Sequence, residues 1–112
     1  MDMNWLFVRR DRRFQRLDLE MVGYFAAENE GCRIVLRDEV IRISTTLAEL
    51  ERLLDPAEFC RVHEKFIVSI GSIEAFDLAW VKVRGQVLPI GEGFVRSFLR
   101  QVCVFPEVVV VE

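Results

Sequence analysis

The stretch Phe59–Phe76, FCRVHEKFIVSIGSIEAF, constrains this chain more than any other. A strand-like run, Phe59–His63, carries an Arg61-x-His63 pair. An aromatic-aliphatic knot follows, Phe66-Ile67-Val68, then a polar Ser69, and a second apolar run opens at Ile73. Phe59–His63 and Ile73–Val83 read as strands, the latter broken near Leu78.

The upstream half reads the same way. Trp5–Arg10 and Phe14–Leu19 are short strands around the polar turn Arg10-Asp11-Arg12-Arg13, with Leu17 and Leu19 forming the apolar face of the second. Asp18–Met21 is predicted to make a helical turn. Val22–Ala27 and Cys32–Leu36 flank Glu28-Asn29-Glu30-Gly31, a hairpin turn in which Gly supplies a positive φ. Val40–Ile43 follows the turn Arg37-Asp38-Glu39. A helix begins at Thr46, where Thr46-Leu47-Ala48-Glu49 forms a capping box and Leu47, Leu50, Leu53 and Leu54 share one face. Asp55-Pro56 ends it. Val87–Ile90 returns after the turn Arg84-Gly85-Gln86. Gly91-Glu92-Gly93 then leads into a second helix with the stripe Phe94, Val95, Phe98, Leu99 and Val102. The aromatic residues, Phe7 and Phe14 among them, are expected mostly in the core. Val108-Val109-Val110-Val111 closes the tail, and four consecutive valines call for a partner strand, from this chain or a second copy.

A chain of 112 residues with 52% apolar content and nine Phe is long enough for one domain with a real core. No apolar run reaches the roughly 18 residues of a membrane span, and no signal peptide is visible, so a cytoplasmic protein is expected. Cys32, Cys60 and Cys103 are odd in number and widely spaced, and read as reduced core residues. The net charge of −3 weighs against non-specific nucleic-acid affinity. The charge is uneven, however. Residues 9–16 hold five arginines against Asp11, while residues 49–58 hold four acids against Arg52.

Over residues 6–102 the chain resembles the LytTR family, the DNA-binding output domain of many bacterial response regulators. The resemblance rests on the signature at Phe59–Phe76. It is joined by Met21-Val22-Gly23-Tyr24-Phe25, Cys32-Arg33-Ile34-Val35-Leu36, the helix Leu47–Leu54, and Leu88-Pro89-Ile90-Gly91-Glu92-Gly93-Phe94 in the family's order. It implies a mostly β fold: short antiparallel sheets packed as an elongated β-sandwich with one or two short helices. The LytTR-like domain is expected over residues 1–103, with 104–112 as an extra strand or dimer edge. It further implies a partner, double-stranded DNA at direct-repeat sites, read by loops around Asn29–Cys32, Lys65–Ser72 and Gly91–Phe94 in successive major grooves. A homodimer is a further expectation. Regulation in such proteins comes from a receiver domain, and none is present in this chain. A stand-alone regulator and an excised output domain both fit.

The candidate DNA-facing residues are Arg12, Arg13, Asn29, Arg33, Arg61, His63, Lys65, Ser69, Ser72, Glu92 and Arg96, with Arg84 as a further phosphate contact. The chain departs from the family pattern in its loops. Glu64-Lys65 stands in place of Arg-Ser, Ser69 in place of Asn, and Glu92 in place of Arg. A carboxylate accepts from cytosine but repels phosphate.

Each candidate has a plainer reading. His63 fits a half-buried strand histidine bonded to backbone better than a base, since no catalytic partner adjoins it. Cys60 and His63 are an odd number apart on a strand, so they point to opposite faces and do not chelate together. The arginine hairpin is either a phosphate clamp or a solvated tip. Gly91-x-Gly93 before a helix suits a DNA phosphate, although Glu92 opposes one. No nucleophile has a neighbouring base in a recognised motif, so no enzyme, cofactor or metal is expected. The main alternative is a module of the same fold that has lost DNA binding and acts through protein contacts. A small all-β enzyme or carrier would need a deep pocket holding Cys60 or His63.

Overall fold

A computed structural model describes residues 4–111. Ten strands and two helices run in the order β1 (Trp5–Arg10), β2 (Arg13–Asp18), β3 (Val22–Glu28), β4 (Gly31–Leu36), β5 (Val40–Ile43), α1 (Leu47–Leu53), β6 (Phe59–His63), β7 (Phe66–Ser69), β8 (Ile73–Phe76), β9 (Trp80–Val83), β10 (Gln86–Pro89) and α2 (Val95–Gln101). Short 3-10 turns at Leu19–Met21, Ile70–Ser72 and Glu92–Phe94 link some of them. All pairings are antiparallel, in a two-stranded, a three-stranded and a five-stranded sheet, the last ordered β5-β4-β3-β7-β6. The molecule measures 59 × 29 × 28 Å, the expected elongated sandwich.

The five-stranded sheet is the middle layer, with a core on each face. On one face Phe25, Ile34, Phe59 and Ile67 meet Leu17 of β2, Leu19 of the 3-10 turn after it, Leu47 and Leu50 of α1, and Leu54 at the end of that helix. On the other, Tyr24, Ala26, Cys60, Val62 and Val68 meet Val81, Val83 and Leu88 of the three-stranded sheet and Phe98 of α2. Strands covered on both sides lose the polar–apolar alternation of a solvated sheet. This explains Phe66-Ile67-Val68, whose residues point alternately into the two cores. The segment Lys65–Ser72, expected as one loop, is therefore a two-residue turn, an inner strand and a 3-10 turn.

Local chemistry sets the element ends. Thr46 Oγ1 accepts from the Glu49 amide at 3.1 Å and starts α1, while the Glu49 carboxylate takes the Thr45 hydroxyl at 2.9 Å, not the reciprocal capping-box bond. Leu53 faces solvent, unlike the other leucines of α1. Gln101 at the end of α2 latches the helix down. Its amide donates to the Pro56 and Phe59 carbonyls at 2.7 and 3.2 Å and accepts from the Cys60 thiol at 3.0 Å. Cys32 is likewise buried and donates to the Thr45 carbonyl at 3.1 Å, whereas Cys103 is exposed and not a core residue.

Two expectations meet a different arrangement. Phe7 and Phe14 lie on the outer face of the hairpin and are 60% and 68% exposed, because a two-stranded ribbon buries only the side carrying Leu6, Val8 and Leu17. Arg84 is not free for phosphate: it donates to the Met21 carbonyl at 2.7 Å. Val104–Val111 forms no strand with any described part of this chain, and Val108–Val111 are 81–89% exposed; Glu112 lies outside the described residues.

Two predictions follow from this packing. A Cβ at Gly31 would collide with the Ile43 carbonyl of the neighbouring strand, whereas Gly85, at φ +82°, faces open space. Gly31→Ala is expected to cost about 3 kcal/mol in urea unfolding, and Gly85→Ala about 1 kcal/mol. Equal shifts would show that the Gly31 contact relaxes freely. Burial pushes the Cys60 thiol from 9.0 up to about 11. The unfolded chain then releases that proton first as pH rises, so Cys60 stabilises the fold below pH 9 and this contribution fades towards pH 11. The fall in unfolding midpoint across that window should be smaller in Cys60→Ala.

Candidate nucleic-acid interface

One end of the five-stranded sheet gathers three loops. The turn Asn29-Glu30 joins β3 to β4, and Glu64-Lys65 joins β6 to β7. The Ala27 amide donates to the Lys65 carbonyl at 2.9 Å and sets these two turns side by side. The third loop, Gly91–Phe94, is tied to the same end by the Gly91 amide, which donates to the Val62 carbonyl at 2.8 Å. Asn29, Glu30, Glu64, Lys65, Glu92 and Gly93 are all exposed there. Rigid strands thus present hydrogen-bonding side chains on three adjacent tips.

The candidate residues divide by position. Asn29, Lys65 and Glu92 stand on the tips, and Arg96 lies in the first turn of α2 just behind the third. His63 is half-buried beneath them. Its Nδ1 accepts from the Lys65 amide at 3.1 Å and its ring leans on Phe66, with centroids 5.6 Å apart. This is a backbone-bonded strand histidine that shapes the turn. Arg33 and Arg42 share the carboxylate of Glu28 at 3.4 and 2.9 Å, which offsets one of their two positive charges. Arg61 turns inward, its side chain 18% exposed, and bonds Glu51 at 3.1 Å and two backbone carbonyls.

Ser69 and Ser72 are not brought to this end. Ser69 is the last residue of β7, four positions or about 13 Å along the strand from Lys65. It lies beside Asn4, Trp5, Arg16 and Glu58, with the Ser72 hydroxyl 3.3 Å from its own. The sequence could not separate these residues from Lys65 once β7 was read as loop. Cys32, placed in the first loop, points into the core. Glu30 is not among the sequence candidates, although the two-residue spacing of its hairpin turn places it at the tip.

Arg12 and Arg13 stand exposed at the tip of the β1–β2 hairpin. Phe7, Val8, Arg9 and Asp11 and the first loop both flank Arg42–Ser44, so the arginine tip lies beside the loop end and not within it. Arg10 and Arg16 are paired with Glu39 and Asp18. The charge of the loop end is mixed: Glu30, Glu64 and Glu92 put one carboxylate on each tip, against Lys65 and Arg96.

Among the described residues no group of three or more metal-ligating side chains comes together, and no helix is long and apolar enough to cross a membrane. Cys60 is sealed in the core, and the hollows at the surface are open.

Comparison with known proteins agrees with this architecture. The solved LytTr DNA-binding domain of a Bacillus cereus protein, described as a methyl-accepting/DNA response regulator, superposes with a TM-score of 0.75 at 18% identity, covering 88% of this chain and 96% of that one. The CO-responsive transcriptional regulator RcoM of Rhodospirillum rubrum is 41% identical over 54 residues. The match takes in 42% of this chain and 23% of RcoM, so it spans about a quarter of that relative's length. The LytTr DNA-binding domain model matches residues 12–102, and the chain belongs to that family.

Proposed function

We propose that this chain is the sequence-reading domain of a transcriptional regulator and that it binds double-stranded DNA through the three loop tips. The observation that carries this reading is the convergence of Asn29-Glu30, Glu64-Lys65 and Glu92-Gly93 on one end of a rigid sheet. Asn pairs with adenine and Glu accepts from the cytosine amino group in the major groove, while Lys serves guanine or phosphate. Arg12, Arg13 and Arg96 supply flanking phosphate contacts. Ser69 and Ser72 have no part in the interface. Two copies on a direct repeat, each reading one half-site, with control by a receiver domain outside the chain, complete the proposal.

Fluorescence anisotropy against a pool of duplexes, including the segment upstream of the protein's own gene, at two salt concentrations tests it. Sub-micromolar binding to a subset of duplexes that weakens steeply with salt is expected. Lys65→Ala should weaken binding and reduce the salt slope by about one, and Ser69→Asn should change neither. Absence of binding at low salt by a folded protein overturns the reading.

A second reading, self-association, is favoured by one observation. The valine tail and the hairpin face of Trp5, Phe7 and Phe14 both expose apolar surface. Charge is complementary, with Glu107 in the tail and arginines at 9, 12 and 13 in the hairpin. If the tail supplies a dimer edge, removing residues 104–112 converts dimer to monomer in sedimentation equilibrium. A monomeric full chain rejects it.

A further inference from the structure

We infer that Arg61 is a positioning residue: it holds the second and third loops in one fixed arrangement, and through that arrangement, not through a phosphate, it serves DNA recognition. The inference rests on the DNA-binding reading above. The Arg61 side chain is 18% exposed, and three of its nitrogens are engaged. Nε donates to the His63 carbonyl at 2.9 Å and one terminal nitrogen to the Glu64 carbonyl at 2.7 Å, so the fork closes over the turn that presents Glu64 and Lys65. The other terminal nitrogen meets the Glu51 carboxylate of α1 at 3.1 Å.

The third loop reaches the same group. Gly91 lets the chain fold tightly against β6: a Cβ there would stand 3.0 Å from Phe94 Cδ2 and 3.6 Å from His63 Cδ2. Phe94 thereby comes beneath the guanidinium, 5.9 Å from its ring centroid, within cation–π range. One planar cation therefore touches α1, the second loop and the base of the third. Lysine carries the same charge but lacks the rigid fork that reaches two carbonyls and a carboxylate at once. A phosphate contact tolerates that exchange and a positioning role does not.

Glu51 supplies a sign test. If it acted only by charge, removing it would strengthen attraction to phosphate. If it anchors Arg61, removing it loosens the second loop and weakens recognition.

The experiment combines amide hydrogen exchange of free Arg61→Lys, Arg61→Gln and Glu51→Gln with anisotropy on the preferred duplex at two salt concentrations. Both Arg61 variants are expected to speed exchange at Lys65 and Phe94 while core amides stay protected. Both should weaken specific binding by about tenfold with the salt slope unchanged. Glu51→Gln should weaken binding as well. The inference is overturned if Arg61→Lys binds like the parent with unaltered exchange, if Arg61→Gln lowers the slope by about one, or if Glu51→Gln tightens binding. Should Arg61→Gln fail to fold, the two milder variants decide. If the parent protein binds no duplex, the functional reading fails, and exchange at Lys65 and Phe94 alone decides whether Arg61 fixes the loops.

Discussion

Burial of β3 and β7 on both faces is the constraint on which the rest of the structure depends. Phe25 and Ile67 enter one core while Tyr24, Ala26 and Val68 enter the other. A one-residue slip of either strand would exchange these sets between two differently shaped spaces, so the register is specified from both sides. The hairpin and α1 cover one face, and the three-stranded sheet and α2 cover the other. Because the register is fixed, the turns at the sheet's end are fixed too, and the Ala27–Lys65 backbone bond records how closely two of them are held.

Electrostatics then divides the arginines by task. Arg84 and Arg61 spend their donors on backbone carbonyls, and Arg33 and Arg42 share Glu28. Burial also lowers the proton affinity of the Arg84 guanidinium, helped by the charge of Arg37, although a guanidinium remains protonated at any ordinary pH. Exposed pairs such as Arg10–Glu39 add about 0–1 kcal/mol each. At and beside the loop end, Lys65, Arg96 and the arginine tip of the hairpin carry no ion pair with the described residues and stay available to an anion.

Much of the fold was legible in the sequence. Thr46 and Pro56 bracketed α1, and Gly31 marked the β3–β4 turn. Family order carried the architecture. Phe66–Ser69 escaped because a strand buried on both faces shows no alternation, and that one omission placed Ser69 and Ser72 beside Lys65. The direction of Arg61 was also beyond reach. Its spacing from His63 and Glu64 names their carbonyls as neighbours, but only the bulge between Arg61 and His63 and the nearness of Glu51 turn the fork inward. Phe7 and Phe14 read as core because nothing in their alternation reveals that the hairpin has no layer above it.

The carboxylate on each loop tip bears on how such a domain searches a genome. Long-lived attachment to arbitrary sequence comes from unspecific attraction to phosphates, and this reading edge dilutes that attraction at each of its three tips. In the proposed role, encounters with the wrong sequence are brief. On that reading the molecule would sample DNA mainly by release and recapture and slide little along it. Residence at the right site then depends on hydrogen bonds formed only when all three tips meet their bases together.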